Sequence, residues 1–271
     1  MTPAEIVERA LAEDTGTGDV TTELCVPSDR QASGAFRVRE HIVVAGVDLL
    51  PLLYEHIDFR VTDGTLLDPG QEIARVHGSA RLLLTRERVA LNFLQHMSGI
   101  ATMARKYVDA VAGTGCRILD TRKTTPGLRH LEKMAARAGG VTNHRIGLFD
   151  AILIKNNHIT AAGGVRSALD AVKDAQLSVE IEVRTRVELD DALAGGATHL
   201  LLDNLRPPEA AEWIRHIQHR ATVELSGGIT LETVRAYAET GADFVSCGAI
   251  THSAKAVDIN FRLEILNTPN Q

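Results

Sequence analysis

The sequence is poor in cysteine and aromatic residues, and it has no long apolar run. Its 271 residues include three cysteines, Cys25, Cys116 and Cys247, which are widely spaced and fit no C-x-x-C or Cys/His pattern. This spacing argues against a disulfide framework and a zinc site, and it predicts reduced thiols. No uncharged stretch approaches the roughly 18 apolar residues that span a bilayer, and the N-terminus lacks the regions of a signal peptide. We therefore expect a soluble, cytoplasmic protein with no membrane partner.

An excess of positive charge is also absent. The formal net charge is −6, whereas proteins that bind nucleic acid usually carry a basic face. We expect no nucleic-acid partner, so that any cluster of basic residues is a local feature of an acidic protein. The length fits one or two domains, such as an α/β barrel with an appended domain.

The first 112 residues predict a mixed α+β region. Thr2-Pro3 is the start signal of an amphipathic helix. Short β-like runs then surround one helix-like piece, Val47–His56, with turn residues between them. A long apolar stripe from Ser79 to Ala112 predicts helix, which we expect Ser98-Gly99 to divide into two.

After residue 113 short apolar strands alternate with helices, which indicates a parallel sheet or barrel. Six strands are predicted, fewer than the eight of a complete barrel: Arg117–Asp120, Ala151–Lys155, Val179–Val183, His199–Asp203, Thr222–Ser226 and Asp243–Cys247. The helices between them are predicted at Leu128–Ala138, Val165–Asp174, Arg186–Ala194, Pro207–His219 and Leu231–Thr240. Because the carboxyl ends of the strands form one rim, the side chains there should share a site.

Basic residues collect at the first two of these strand ends. Arg122 and Lys123 follow the first strand, Lys155 ends the second, and the connection between them contains His144 and Arg145. Solvated loop charge accounts for any one of these residues. Their coincidence at one rim favours a site for a small polyanion.

Carboxylates end the next two strands, at Glu182 and Asp203. Two carboxylates on one rim can hold Mg²⁺, bind ribose hydroxyls or lie near developing positive charge. They can equally be ordinary ion-pair partners of Lys155 and Arg122. Lys155 also has a second interpretation, as the Schiff-base lysine of a phosphosugar enzyme.

Glycine turns follow the last two strands. Ser226-Gly227-Gly228 lies between a strand and a helix, where backbone N–H groups can bind an anion. Gly248 comes one strand later and is followed by His252. Adjacent turns of this kind are typical of barrels that bind a phosphorylated ligand.

The same segments resemble a known family, the quinolinate phosphoribosyltransferases, also called nicotinate-nucleotide pyrophosphorylases (carboxylating). The resemblance covers nearly the whole chain and lies in Thr121-Arg122-Lys123-Thr124, Asn143-His144-Arg145, Ile154-Lys155, Leu202-Asp203-Asn204, Ser226-Gly227-Gly228-Ile229 and Gly248-Ala249-Ile250-Thr251-His252-Ser253. It implies an N-terminal α/β sandwich domain with linking helices at 1–112, joined to an incomplete, seven-stranded β/α barrel at 113–253. The C-terminal segment, 254–271, could pack on the first domain.

The resemblance also implies a reaction in de novo NAD biosynthesis. A glycosyltransferase of this family, a decarboxylating pentosyltransferase, converts quinolinate and 5-phosphoribosyl-1-pyrophosphate (PRPP) to nicotinate mononucleotide, pyrophosphate and carbon dioxide, with Mg²⁺ accompanying the PRPP. The residues that it places on quinolinate are Arg88, Arg122, Lys123, His144 and Arg145. Those that it places on PRPP are Lys155, Glu182, Asp203, Ser226, Gly227, Gly248 and His252. Among these, it implies that Lys123, Lys155, Glu182 and Asp203 are catalytic, and that Glu182 and Asp203 also ligate the metal.

Arg88 would reach the quinolinate site of a neighbouring subunit, so the resemblance implies a homodimer with a shared active site, which could assemble further. The chain departs from the family pattern at three places. Gly139-Gly140-Val141 stands where a triple glycine is frequent, Asn156 where Asp is frequent, and Arg184 where an acidic residue is common.

Three alternatives stay open. The first is a related phosphoribosyltransferase of the molybdenum-transport-associated group that acts on another aromatic acid. The second is a phosphosugar barrel enzyme that uses Lys155 as a Schiff base. The third is a binding barrel without catalysis, which would not need carboxylates opposite a cationic cluster.

Overall fold

The computed structural model describes residues 1–266. Its contacts divide the chain into two compact units. The first unit contains residues 1–105, 124–140 and the chain from residue 251, and the second contains residues 106–123 and 141–250. The sequence placed one boundary after residue 112 and left residues 124–140 in the barrel domain, whereas the contacts group that segment with the N-terminal part of the chain.

In chain order the helices are α1 (Pro3–Thr15), α2 (Val20–Cys25), α3 (Ala80–Ala110), α4 (Arg129–Ala138), α5 (Asn156–Ala162), α6 (Val165–Val172), α7 (Arg186–Ala194), α8 (Pro207–Ile217), α9 (Val234–Ala238) and α10 (Ala249–His252). A 3₁₀ helix spans Val47–Leu52. The strands are β1 (Gln31–Val38), β2 (Ile42–Val43), β3 (His56–Phe59), β4 (Leu66–Leu67), β5 (Glu72–Ser79), β6 (Arg117–Leu119), β7 (Ile152–Ile154), β8 (Val179–Val183), β9 (His199–Asp203), β10 (Thr222–Ser226), β11 (Phe244–Ser246) and β12 (Ile259–Ile265). No helix among residues 1–266 combines the length and apolar character needed to cross a bilayer.

The first unit is built on a four-stranded antiparallel sheet in the order β12-β1-β5-β3. The capping predicted at its first helix is present: Thr2 Oγ1 accepts from the Glu5 N–H at 3.3 Å, and the Glu5 carboxylate accepts from the Thr2 N–H at 2.7 Å. The part of the C-terminal segment that the structure describes supplies β12, which pairs with β1. Residues 267–271 of the predicted packing segment lie outside the described residues.

The prediction that Ser98-Gly99 divides the long helical region was wrong, because α3 runs unbroken for 31 residues. Ser98 is buried, and its Oγ accepts from the Ala45 N–H at 3.0 Å. A Cβ at Gly99 would lie 2.1 Å from the Lys255 carbonyl oxygen. These two small residues let other chain segments approach the helix closely, which is a packing requirement and not a stop signal.

The second unit contains a parallel sheet of six strands in the order β6-β11-β10-β9-β8-β7. The six strands coincide with the six predicted ones to within a residue at each end, which confirms the predicted α/β class. Thr142 forms a parallel bridge to Leu119, and its N–H donates to the Ile118 carbonyl at 2.9 Å. Where the resemblance implies seven strands, the described residues of the second unit thus form six strands and this single bridge beside β6.

Strand alternation places the polar side chains of this sheet on one face. On β8, Ile181 and Val183 are fully buried, and Glu180 and Glu182 occupy the alternate positions. On β10, Glu224 and Ser226 alternate with buried aliphatic residues in the same way. The parallel register pairs Ser226 with Asp203, so these two residues end neighbouring strands at the same level.

Candidate active site

A pocket of about 470 Å³ lies at the carboxyl ends of the parallel strands, within the second unit. It is lined by predicted site residues from five strands and their loops: Arg122, Lys123, His144, Arg145, Lys155, Glu182, Asp203, Ser226 and Gly227. Arg88, Gly248 and His252 are not among its lining residues, and Ser246 lines it at the end of β11. The pocket thus combines a group of cations with several carboxylates.

Two guanidinium groups form the basic side of the pocket. Burial and the neighbouring charge of Arg122 lower the pKa of Arg145. Arg145 Nη1 donates to the Ala151 carbonyl at 3.3 Å, while its buried Nε has no hydrogen-bond partner among the described residues. Two cations held near each other repel, and a bound dianion would relieve this repulsion.

His144 lies against two carboxylates that the sequence did not assign to the site. Its Nε2 is 3.2 Å from Glu180 Oε2 and 3.4 Å from Glu224 Oε2, and its backbone N–H donates to Asp120 Oδ1 at 2.8 Å. Burial alone would lower the pKa of His144, but Glu180 and Glu224 outweigh burial and raise it to about 9.

A second contact opposes this effect, because the Arg145 N–H donates to His144 Nδ1 at 2.7 Å, and an accepting nitrogen carries no proton. The two carboxylates outweigh this contact, because a protonated ring places a positive charge beside Glu224, which is almost fully buried. Protonation of His144 must then lengthen the contact with the Arg145 N–H.

Glu224 is the most buried member of this His144 cluster, and burial raises its pKa. His144 and Glu224 line both the strand-end pocket and a second cavity of about 300 Å³, where Glu180 also lies. Among the described residues these three form a group whose ligand atoms lie within 4.8 Å of one another. The sequence signal that could have indicated Glu180 and Glu224 is their spacing. Each lies two residues before a predicted site residue, Glu182 or Ser226, and residues two apart in a strand share one face.

The predicted metal pair, Glu182 and Asp203, already faces a cation of the protein. Arg184 Nη2 lies 3.0 Å from Glu182 Oε1, and Arg184 Nε lies 4.0 Å from Asp203 Oδ2. A guanidinium in this position competes with any metal ion for the same oxygens. The pair therefore does not fit a Mg²⁺ ion held by the protein alone.

The glycine turn after β10 has a conformation that glycine favours, with φ of +108° at Gly227 and +59° at Gly228. The Asn204 N–H donates to the Ser226 carbonyl at 2.8 Å, which ties the turn to the end of β9. The helix predicted from Leu231 begins only at Val234 and has five residues. Anion binding here would depend on the loop N–H groups and not on a helix terminus.

Lys155 lies between β7 and α5, a helix that the sequence did not predict. Its backbone N–H donates to His158 Nδ1 at 2.9 Å, which fixes the loop from which the exposed side chain extends. Arg122 and Lys123 extend from the loop after β6, where the Lys123 N–H donates to Thr121 Oγ1 at 3.1 Å. Local side-chain hydrogen bonds thus set the direction of the basic loops.

Comparison with known proteins identifies relatives that cover most of both units. Residues 19–98 match the family model for the N-terminal domain of quinolinate phosphoribosyl transferase, and residues 100–262 match the model for its C-terminal domain. A nicotinate-nucleotide pyrophosphorylase [carboxylating] of Mycobacterium leprae is 43% identical, with 96% of each chain covered. A chloroplastic protein of the same name from Arabidopsis thaliana is 40% identical, with 96% of this chain and 82% of the relative covered.

A crystal structure of NadC from Streptococcus pyogenes has the same fold. It superposes with a TM-score of 0.91 at 38% identity and covers 98% of this chain and 99% of that chain. Both units therefore have a counterpart in that structure.

Proposed function

The chain belongs to the quinolinate phosphoribosyltransferase family, and we propose that its strand-end pocket is the place where quinolinate reacts with PRPP. The enzyme is a decarboxylating pentosyltransferase: the ring nitrogen of quinolinate displaces pyrophosphate from C1 of PRPP, and the 2-carboxylate leaves as carbon dioxide. The product is nicotinate mononucleotide.

The observation that carries the proposal is that one pocket brings together two pairs of opposite charge. Arg122 and Arg145 line it from loops, and Glu182 and Asp203 line it from the carboxyl ends of the neighbouring strands β8 and β9. The first pair suits a flat dianion, and the second suits ribose hydroxyls and the positive charge that develops at C1 when pyrophosphate leaves. Neither step needs a protein nucleophile, so catalysis consists of orientation and electrostatic stabilisation.

Quinolinate would bind through its two carboxylates. The planar guanidinium groups of Arg122 and Arg145 can each form bidentate contacts, and Lys123 adds a point charge. His144 would act differently, because its Nε2 faces Glu180 and Glu224 and its Nδ1 faces the Arg145 N–H. We expect it to act through Glu180 and Glu224, whose negative charge it balances beside the site, and not through contact with quinolinate.

PRPP would bind along Lys155 and the turn at Ser226 and Gly227, with its ribose near Glu182 and Asp203. Mg²⁺ would enter as a complex with the phosphates of PRPP. Gly248 and His252 keep their expected role at the 5-phosphate only as a prediction, since neither lines the pocket.

Arg88 would complete the quinolinate site of a second subunit. It is exposed on α3 in the first unit. A homodimer in which each pocket receives the Arg88 of the other chain would supply a third guanidinium to the substrate. The cytoplasmic location is also a proposal, since the Arabidopsis relative is named as chloroplastic and the Mycobacterium name gives no compartment.

A comparison of two substrates tests the proposed function. Nicotinate has one carboxylate fewer than quinolinate and cannot lose carbon dioxide from position 2. We expect kcat/KM with nicotinate to be about ten- to a hundredfold lower, since the missing carboxylate removes a charge-assisted contact that contributes roughly 1.5–3 kcal/mol. Comparable rates with the two acids would contradict the assignment of Arg122 and Arg145 to the dicarboxylate.

A further inference from the structure

Arg184 lies beside the two carboxylates at which PRPP is proposed to bind. Its Nε and Nη2 both contact Glu182 Oε1, at 3.1 Å and 3.0 Å, and its Nε is 4.0 Å from Asp203 Oδ2. The Glu182 side chain is 6% exposed and the Asp203 side chain 16% exposed. Two carboxylates in such a position need a positive charge nearby.

The backbone places Arg184 where it can supply this charge. It is the residue directly after β8, and its N–H donates to Glu188 Oε2 at 2.8 Å. Glu188 also takes part in the capping box of α7 with Thr185. The start of the helix thus fixes the main chain at Arg184 and leaves only the side chain to move.

The side chain can leave the pair, because it is 44% exposed, far more than its two partners. The ion pair is therefore not a buried structural bridge. Its strength at a half-exposed site is modest. A Mg²⁺–PRPP complex, which also gains contacts through its phosphates, can therefore displace the guanidinium, whereas a free ion would have to exchange its tightly held water for carboxylates that already have a cation.

From these contacts we infer that Arg184 is a positioning residue. In the substrate-free enzyme it pairs with Glu182 and Asp203 and prevents divalent metal ions from binding to these two carboxylates. Mg²⁺ then enters the pocket only with PRPP, whose phosphates supply its ligands. This inference rests on the proposed binding of PRPP at Glu182 and Asp203. It predicts a specific order, in which the metal has no site until the phosphoribosyl substrate arrives.

Binding of Mn²⁺ to the substrate-free protein tests the inference, with the unbound ion measured by electron paramagnetic resonance. Wild-type protein should show no saturable Mn²⁺ site at this pair below millimolar concentration. Arg184→Ala should bind one Mn²⁺ at least about tenfold more tightly than wild type, because a charge-assisted hydrogen bond no longer competes for the carboxylate. Arg184→Lys, which keeps the charge, should restore most of the exclusion.

Two controls locate the effect. Arg186→Ala removes the next arginine along the chain, which lies 4.0 Å from Asp190 on α7, and it should leave Mn²⁺ binding unchanged. Glu182→Gln in the Arg184→Ala background should abolish the gained site. The inference is wrong if wild type binds Mn²⁺ as tightly as Arg184→Ala, or if the gained site persists in the double variant.

The measurement contains neither quinolinate nor PRPP, so its failure is distinguishable from failure of the proposed function. If the protein excludes Mn²⁺ through Arg184 but turns over no quinolinate, the role of the ion pair holds and the proposed reaction is wrong. If the enzyme is active but its wild-type form binds Mn²⁺ at Glu182, only the inference about Arg184 is wrong.

Discussion

The pKa of His144 depends on the cluster that this residue forms with Glu180 and Glu224. Glu180 and Glu224 lie against its Nε2, and the net effect raises its pKa to about 9 from the usual 6.5. A histidine whose pKa is higher in the folded state stabilises the fold fully below the unfolded value of about 6.5. That contribution disappears as the pH rises through about 9.

We therefore expect the free energy of unfolding to decrease between pH 6.5 and pH 9, by on the order of 2 kcal/mol attributable to His144. Urea unfolding of wild type and His144→Gln across this range measures it, and the difference between the two proteins should shrink as the pH rises. His130→Gln, at an exposed position on α4, is the matched control and should follow wild type. A wild-type advantage that stays constant with pH would argue that His144 is neutral and held by the Arg145 N–H.

The sequence predicted the individual charges of the site better than their partners. The charged residues of the site were recognisable because they lie near the ends of strands that share one rim, or in the loops that follow them. They are Arg122, Lys123, Arg145, Lys155, Glu182 and Asp203. Glu180 and Glu224 were missed, because a carboxylate inside a strand is ordinarily read as solvent-facing. Arg184 was noticed only as an unusual residue, since its contact with Glu182 depends on side-chain geometry that no spacing reveals.

Among the structural elements, the turn between β10 and α9 contains two glycines that look equivalent in the sequence but differ in their packing. A Cβ at Gly227 would lie 2.3 Å from Asn204 Oδ1 and 2.7 Å from the Asn204 backbone nitrogen, whereas a Cβ at Gly228 would meet no atom within 4 Å. Gly227 thus has a packing role in addition to any contact with phosphate. Gly228 has only the constraint of its positive φ.

Gly227→Ala should lower the free energy of unfolding by at least about 2 kcal/mol, because the added methyl group meets backbone atoms at a strained φ. Gly228→Ala should lower it by about 1 kcal/mol, the ordinary cost of a left-handed alanine. Urea unfolding of both variants gives the comparison. Equal losses in the two variants would mean that the close approach to Asn204 relaxes at little cost.

Helices and strands were predictable where their pattern was long and their end signals were local. The six parallel strands and the cap at Thr2 are of this kind. Ser98-Gly99 misled the prediction, because the reason for a glycine there is the main chain at Lys255, far away in the sequence. The helix α5 was missed for a related reason, since Asn156 and Asn157 are weak helix formers that the fold overrides.

For the whole molecule, we propose that Arg88 enters the active site of a partner subunit. Arg88→Ala and Lys155→Ala should each be nearly inactive alone, since each removes a charge-assisted contact with a substrate. If the site is shared, a heterodimer of the two variants contains one pocket with both lesions and one with neither. Activity per heterodimer should return towards half of the wild-type value.

Mixtures of the two variants, with subunit exchange verified by native mass spectrometry, provide the measurement. The control is Arg88→Ala alone, carried through the same exchange procedure, and it should stay inactive. Exchanged mixtures of the two variants that remain as inactive as their parents would show that Arg88 acts within its own chain or not at all.

Decarboxylating phosphoribosyl transfer in the strand-end pocket is tested most directly by the ratio of carbon dioxide to nicotinate mononucleotide formed from quinolinate labelled in its 2-carboxylate. The wild-type enzyme should release one carbon dioxide and one pyrophosphate for each mononucleotide, and Arg145→Ala should lower all three together. Formation of a mononucleotide that keeps the label, or release of label without PRPP, would contradict the assignment of this pocket to decarboxylating phosphoribosyl transfer.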